Sequence, residues 1–119
     1  MTHVEQQNAF LLDVAKLILK ADDFELTITA GEMYRTQEQQ DIYLKAGKSK
    51  AKHSRHQDRM ALDLNFFEWI GGILTLTYEK KNIQPLGDYW ESLNPLNKWG
   101  GNWPPSIIVD TPHFERSDE

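Results

Sequence analysis

The sequence Ala-Leu-Asp-Leu-Asn-Phe-Phe at residues 61–67 places an acid inside a strongly apolar strand. Successive side chains of a strand point to opposite faces of the sheet, so the large apolar residues at even positions share one face. These residues are Leu62, Leu64 and Phe66. Asp63 lies on the other face, between Ala61 and Asn65. Because a buried carboxylate must be paired or bound to a metal ion, the stretch predicts a strand whose second face carries a polar site.

Signals on both sides of this stretch indicate an α+β fold. Thr2 and Thr36 are followed three residues later by Glu5 and Gln39, the capping-box pattern that begins a helix. Gly71-Gly72 marks a turn between two strands. We predict helices over about 4–21, 37–46 and 83–93, and strands over 24–31, 61–67, 73–78, 107–109 and 113–114. Residues 48–60 and 94–105 are predicted as loops. This order is typical of a small antiparallel sheet packed with helices.

Length and composition narrow the classes of protein that are possible. We expect one domain over residues 1–119. The chain has no Cys, which excludes a disulfide scaffold and a thiolate metal site. Its net charge of −5 argues against a general nucleic-acid binder, and we expect no nucleic-acid partner. The charge is uneven, however, because residues 45–59 contain six bases and one acid.

The first helix carries no targeting signal. Its apolar stretch, residues 9–21, is interrupted by Asp13, Lys16 and Lys20. It lacks the basic start and the small-residue cleavage site of a signal peptide, and it is too short and too charged to cross a bilayer. We therefore expect synthesis in the cytoplasm and no membrane anchor.

Two His and one carboxylate form a candidate metal-ligand set. His56 lies near the end of the basic loop, Asp63 in the strand that follows, and His113 in a distant strand. Two His and one carboxylate leave a fourth position open on a catalytic zinc ion. Asp110, three residues before His113, is a candidate base.

Ordinary structural roles remain open for several of these residues. Asp63 could form a buried ion pair with a base such as Arg59. Asp110 could be a turn residue, since an Asp-Thr-Pro sequence favours turns.

The motifs Ser54-x-His56, Ala61-x-Asp63 and Asp110-x-x-His113-Phe114 resemble those of the zinc peptidases of the D-alanyl-D-alanine carboxypeptidase family. The sequence is more similar to the phage-type L-alanyl-D-glutamate endopeptidase branch. Three further stretches fit that branch, namely residues 34–37, 86–93 and 98–103. The likeness covers about residues 26–116, and these separated motifs in the right order form a specific signal.

The resemblance implies a role for each matching residue. His56, Asp63 and His113 would be the zinc ligands, and Asp110 the general base. Arg35 would face the scissile carbonyl or a substrate carboxylate, although a salt bridge with Glu32 or Glu38 is its ordinary alternative. Ser54 would support a ligand or contact substrate.

Two positions depart from the family pattern, and one aromatic residue is a further candidate. Arg59 stands where many relatives have Gly. Asp110 stands where the carboxypeptidase branch typically has Glu, which favours the endopeptidase branch. Trp99, beside two glycines, is a candidate wall of the substrate cleft. The carboxylates Glu115, Asp118 and Glu119 are interpreted as a solvated tail.

The function that the resemblance implies is hydrolysis of a peptide bond in the peptidoglycan stem peptide, L-alanyl-D-glutamate being the expected bond. The enzyme would be a monomeric endolysin of a phage or prophage, without a separate wall-binding domain, that reaches the cell wall after release by a holin. Two alternatives stay open. One is a D-alanyl-D-alanine dipeptidase or carboxypeptidase. The other is a non-catalytic module that binds an anionic polymer through the 45–59 basic loop.

Overall fold

The computed structural model describes residues 1–49 and 51–117, which form three α-helices and a five-stranded antiparallel sheet. The elements in chain order are α1 (His3–Asp23), β1 (Thr27–Ala30), α2 (Gln37–Lys45), β2 (Ala61–Ile70), β3 (Ile73–Thr77), α3 (Lys80–Leu93), β4 (Asn97–Trp99) and β5 (His113–Arg116). Short 3₁₀ turns cover Arg55–Asp58 and Gly100–Asn102. The predicted α+β class is confirmed.

Strand β2 is the centre of the sheet because it pairs with three other strands. Its first residues pair with β5, and the register places Asp63 opposite His113. Its later residues pair with β1 on one side and with β3 on the other. Strand β4 extends the sheet beyond β5. The polar residue predicted in β2 therefore lies beside the last strand of the chain.

One face of β2 and β5 packs against helices α1 and α3. The buried side chains of this core include Phe10, Val14 and Leu17 from α1, Leu62, Leu64 and Phe66 from β2, Ile83, Leu86 and Trp90 from α3, and Phe114 from β5. Each such side chain contributes roughly 1.5–3 kcal/mol by leaving water. The predicted division of β2 into an apolar face and a face that holds Asp63 agrees with this packing.

A buried polar network closes the end of this core. The Arg116 guanidinium donates to the Asp13 carboxylate, and its Nε donates to Asn97 Oδ1 at 2.9 Å. Asn97 Nδ2 also donates to Asp13 Oδ2 at 3.1 Å. Because each buried group has a partner, the network anchors β4 and β5 to α1 without leaving an uncompensated charge.

Several element predictions were wrong. Residues 107–109 are not a strand: the backbone turns after Pro104, whose carbonyl accepts from Ile107 N at 2.9 Å, and the branched side chains are exposed. The predicted loop 94–105 contains β4, which is too short to show alternation. The predicted loop 48–60 contains the 3₁₀ turn Arg55–Asp58. None of the helices in the described ranges is long and apolar enough to cross a membrane.

Candidate metal centre

The β2–β5 pairing brings two of the predicted ligands together. Asp63 and His113 are cross-strand partners on the face away from the core, with His113 Nδ1 at 3.2 Å from Asp63 Oδ1. His56 reaches the same point, so that one potential ligand atom from each of the three residues lies within 4.8 Å of the others. The three side chains therefore form one cluster that could hold a metal ion.

Ser54 positions His56 at the start of a 3₁₀ turn. The Ser54 hydroxyl accepts a hydrogen bond from the His56 amide at 3.2 Å, and Gln57 Oε1 accepts one from the Ser54 amide at 2.9 Å. This reciprocal arrangement is a capping box, which fixes the direction of the turn. Ser54 thus supports His56 through the backbone.

Arg59 ends this turn in a left-handed conformation, with φ of +59°. This region favours glycine, and an L side chain pays roughly 1–2 kcal/mol there. The Arg59 guanidinium lies over the Tyr34 ring, 4.2 Å from its centroid, which offsets part of that strain. The backbone therefore turns from His56 into β2 although Arg59 stands in place of Gly. The ion pair between Arg59 and Asp63, which the sequence left open, is not found among the contacts of the described residues.

The ring of His56 is held in one tautomer. Its Nδ1 lies 2.9 Å from the Met33 carbonyl oxygen, which can only accept, so Nδ1 carries the proton and Nε2 carries a lone pair. In the described ranges, Nε2 of His56 is the buried side-chain polar atom without a hydrogen-bond partner. It lies 3.3 Å from Asp63 Oδ1, so two lone-pair atoms face each other.

This arrangement fits a bound cation. A buried polar atom without a partner costs free energy, and a lone pair directed at a carboxylate adds electrostatic repulsion. A cation between the two atoms would remove both costs. Two imidazoles and one carboxylate are also the donor set of many catalytic zinc sites.

The protonation states of Asp63 and His113 depend on each other. Burial opposes ionisation of Asp63, but the hydrogen bond with His113 and the neighbouring imidazole of His56 outweigh it and lower the pKa of Asp63 to about 2. Burial also acts against charge on His113, yet hydrogen bonds to Asp63 and Glu115 raise its pKa to about 9. Without a metal ion, a protonated His113 thus joins two carboxylates.

Asp110 and Arg35 lie in the same cleft, which has a volume of about 690 Å³ and extends over the three candidate ligands. Burial raises the pKa of Asp110, an effect that His113, His56 and Arg35 partly oppose. The Asp110 backbone is fixed at both ends: its N–H donates to Gly100 O at 3.0 Å, and its carbonyl accepts from His113 N at 3.1 Å.

Arg35 forms a salt bridge and also lines the cleft. Its Nη2 lies 2.5 Å from Glu32 Oε1, which is one of the salt bridges expected from the sequence. Its Nη1 donates to Gln40 Oε1 at 2.8 Å, and its guanidinium lies 4.6 Å from the Tyr43 ring centroid. The guanidinium also lines the cleft, so the salt bridge orients Arg35 there.

Trp99 does not line the cleft, contrary to the prediction. It is fully buried against Phe114, and Cβ atoms added at Gly87 or Gly101 would lie within 2.3 Å of its ring. The two glycines therefore make room for Trp99 and leave no space there for substrate. Its Nε1 donates to the Thr111 carbonyl at 2.8 Å, which fixes the turn between Asp110 and His113.

Trp103 and Glu115 are the residues of the site that the sequence did not reveal. The Trp103 ring lies 4.9 Å from the His113 ring and lines the cleft. Glu115, interpreted from the sequence as part of a solvated tail with Asp118 and Glu119, lies in β5 and contacts His113 Nε2 at 2.8 Å. Asp118 and Glu119 lie outside the described residues. The alternation of a strand that begins at His113 was the available signal for Glu115.

Comparison with known families identifies the chain. A family model described as D-alanyl-D-alanine carboxypeptidase matches residues 47–116, well over half of the sequence. The chain belongs to this peptidase family. The matched segment contains His56, Asp63, Asp110 and His113, and the chain is a peptidase that acts on peptidoglycan.

A solved structure supports the fold of this D-alanyl-D-alanine carboxypeptidase family member. The crystal structure of the Serratia marcescens L-Ala D-Glu endopeptidase ChiX is similar, with a TM-score of 0.60 and 22% sequence identity. The likeness covers 77% of this chain and 68% of that one. A search among curated proteins found no match.

Proposed function

We propose that this peptidase holds a zinc ion on His56, Asp63 and His113 and hydrolyses the L-alanyl-D-glutamate bond of the peptidoglycan stem peptide. The observation that carries the metal site is the buried His56 Nε2, which lacks a hydrogen-bond partner and faces the Asp63 carboxylate. The bond is supported by Asp110, which stands where the carboxypeptidase branch typically has Glu, and by the similarity to an L-Ala D-Glu endopeptidase.

The residues around the cluster suit amide hydrolysis. A zinc ion bound there would lower the pKa of a water molecule and polarise the substrate carbonyl. Asp110 would take a proton from the attacking water and transfer it to the leaving amine. Its raised pKa suits both steps, because a carboxyl that is too acidic returns a proton poorly. Arg35, which keeps its charge, would stabilise negative charge on the scissile carbonyl oxygen or bind a substrate carboxylate.

Two basic residues in the lining of the cleft are consistent with an anionic stem peptide. These residues are Lys48 and Arg55, both from the 45–59 basic loop. Because they line the same cleft as the candidate ligands of a peptidase, we do not retain the non-catalytic polymer-binding alternative. We further propose that residues 1–119 act as one catalytic domain and as a monomeric endolysin of a phage or prophage.

The test combines metal content with product analysis. The native protein is expected to contain one zinc per chain and to release fragments with new N-terminal D-glutamate from purified peptidoglycan. His56→Ala should lose both properties, whereas His3→Ala, which alters an exposed residue of α1, should keep both. A native protein that binds no zinc and releases no fragment would refute the proposal.

The family description favours one second candidate, a D-alanyl-D-alanine dipeptidase or carboxypeptidase. Mass spectrometry of the products separates the two reactions. Release of D-alanine, from peptidoglycan or from free D-alanyl-D-alanine, without new N-terminal D-glutamate, would replace the endopeptidase proposal with this one.

A further inference from the structure

Glu115 contacts the nitrogen of His113 that faces away from Asp63. Its Oε1 lies 2.8 Å from His113 Nε2, while His113 Nδ1 lies 3.2 Å from Asp63 Oδ1. The two ring nitrogens therefore have different tasks: one faces the ligand cluster, and the other faces a carboxylate that is not part of it. Only 14% of the Glu115 side chain is exposed, so water competes weakly for this contact.

The backbone of β5 places Glu115 at this point. Residues two apart on a strand share a face, so Glu115 follows His113 on the site face, opposite Ala61 of β2. Phe114 and Arg116, the residues on the other face, are buried in the core and in the polar network. The Glu115 carbonyl accepts a hydrogen bond from Trp90 Nε1 at 3.0 Å. The backbone of Glu115 is therefore held by its neighbours on both sides, and this holds the carboxylate next to His113.

The two His of the cluster are oriented by different acceptors. The outer nitrogen of His56 faces a neutral backbone carbonyl, that of Met33, whereas the outer nitrogen of His113 faces a carboxylate. A carboxylate is the stronger acceptor and adds negative charge to the ring, which makes the opposite nitrogen a better electron-pair donor. The Trp103 ring against His113 restricts rotation of that imidazole.

We propose that Glu115 is a positioning residue of the metal centre. Its carboxylate accepts the Nε2–H of His113, selects Nδ1 as the metal-binding nitrogen, and strengthens the hold of that nitrogen on the cation. The inference rests on the proposed metal site and goes beyond it, because Glu115 would act through His113 and is not one of the three candidate ligands.

Zinc affinity of purified protein tests this role without an activity assay. Competition with a chelator of known affinity should show that Glu115→Ala binds zinc about 10–100-fold more weakly than the native protein. Glu115→Gln should lose less affinity, because its amide oxygen can still accept the hydrogen bond. Glu68→Gln is the matched control, since Glu68 is a half-buried β2 carboxylate that accepts from Asn82 at 3.1 Å, away from the cleft. It should bind zinc as the native protein does.

Nuclear magnetic resonance of the imidazole rings distinguishes positioning from a general structural effect. In the zinc-loaded native protein, His113 should show a protonated Nε2 with a strongly hydrogen-bonded proton. Glu115→Gln should shift that proton signal while the His56 ring signals stay unchanged. This readout also decides the question if Glu115→Ala fails to fold, because Glu115→Gln keeps the shape of the side chain.

The outcomes separate this inference from the proposed function. If the native protein and Glu68→Gln bind zinc tightly, and Glu115→Ala binds it within twofold of native with an unchanged His113 signal, the role of Glu115 is refuted alone. If Glu115→Ala does not fold, an unmoved His113 signal in Glu115→Gln refutes it. If the native protein binds no zinc, the proposed metal site fails, and the role of Glu115 fails with it.

Discussion

The two faces of the β2–β5 strand pair share one backbone but carry different side chains. One face carries apolar side chains of the core, and the other carries the polar side chains of the site. On the core face, Leu64 and Phe114 are buried against α1 and α3, and their contacts are complete within the protein. On the site face, Asp63 and His113 face each other beside a His56 nitrogen that has no hydrogen-bond partner. One face therefore stabilises the fold by itself, whereas the other brings together side chains that could hold a cation.

The largest effect is expected from the site face. Asp63→Asn keeps the shape of the side chain but removes the negative charge, so zinc binding should weaken sharply. Peptidoglycan hydrolysis should fall by about 10³-fold or more, which corresponds to about 4 kcal/mol in the activation free energy. Asn65→Ala, two residues along the same face, is the control and should stay active. Equal losses in both variants would contradict the division of roles between these two positions.

A substitution on the core face should lower the stability of the protein and leave zinc binding intact. Leu64→Ala leaves a cavity under β2 and should lower the free energy of unfolding by about 2–5 kcal/mol. Denaturant titration measures this loss. At a temperature where the variant is folded, its zinc stoichiometry should be that of the native protein. Loss of zinc from a folded Leu64→Ala would show that the two faces are not independent.

The metal-free site face should also make stability depend on pH. The pKa of His113 is raised to about 9, so its contribution is complete below about pH 6.5 and is lost as the pH rises through 9. The pKa of Asp63 is lowered to about 2, so its contribution is complete above about pH 3.8 and is lost as the pH falls through 2. Both shifts describe largely the same interaction and are not added together.

Unfolding of the metal-free protein in chelator measures this dependence. The free energy of unfolding should fall by roughly 2–3 kcal/mol between pH 6 and pH 10. Leu64→Ala should show the same fall from a lower starting value. A flat profile in the native protein would contradict the coupling of His113 with its two carboxylates.

The smallest effect is expected where the chain departs from the family pattern. Arg59→Gly removes the strain of a left-handed residue and also removes the contact with the Tyr34 ring. Since the two terms oppose each other, the free energy of unfolding should change by less than about 1 kcal/mol. Zinc affinity should stay within a few-fold of native. A large loss of affinity would mean that Arg59 itself supports the site.

Local rules of the sequence predicted the two faces of β2 but not the whole site. Alternation alone places Leu62 and Leu64 on one face and Asp63 on the other. The contact between Asp63 and His113 depends on the β2–β5 register, which is a long-range pairing that no local pattern specifies. The family resemblance supplied that link for His113, and Glu115 was missed because its position near the end of the chain suggested solvent.

Trp99 and Trp103 show a second limit of prediction from the sequence. Trp99 and Trp103 lie beside the same glycines, and composition does not distinguish the buried ring from the one in the cleft. The three-residue strand β4 turns Trp99 towards Phe114 and the core, while Trp103, beyond the 3₁₀ turn, reaches His113. Residues 107–109 were wrongly predicted for another reason. Their branched side chains favour a strand, but a turn that begins at Pro104 prevents it.

A crystal structure of the zinc-loaded protein, with anomalous diffraction recorded at the zinc edge, would show whether the site face is built around a metal ion. We predict a single strong zinc peak bounded by His56 Nε2, the Asp63 carboxylate and His113 Nδ1, with His113 Nε2 still in contact with Glu115. A zinc peak elsewhere on the protein, or a fully formed cluster without zinc after stoichiometric loading, would contradict the account.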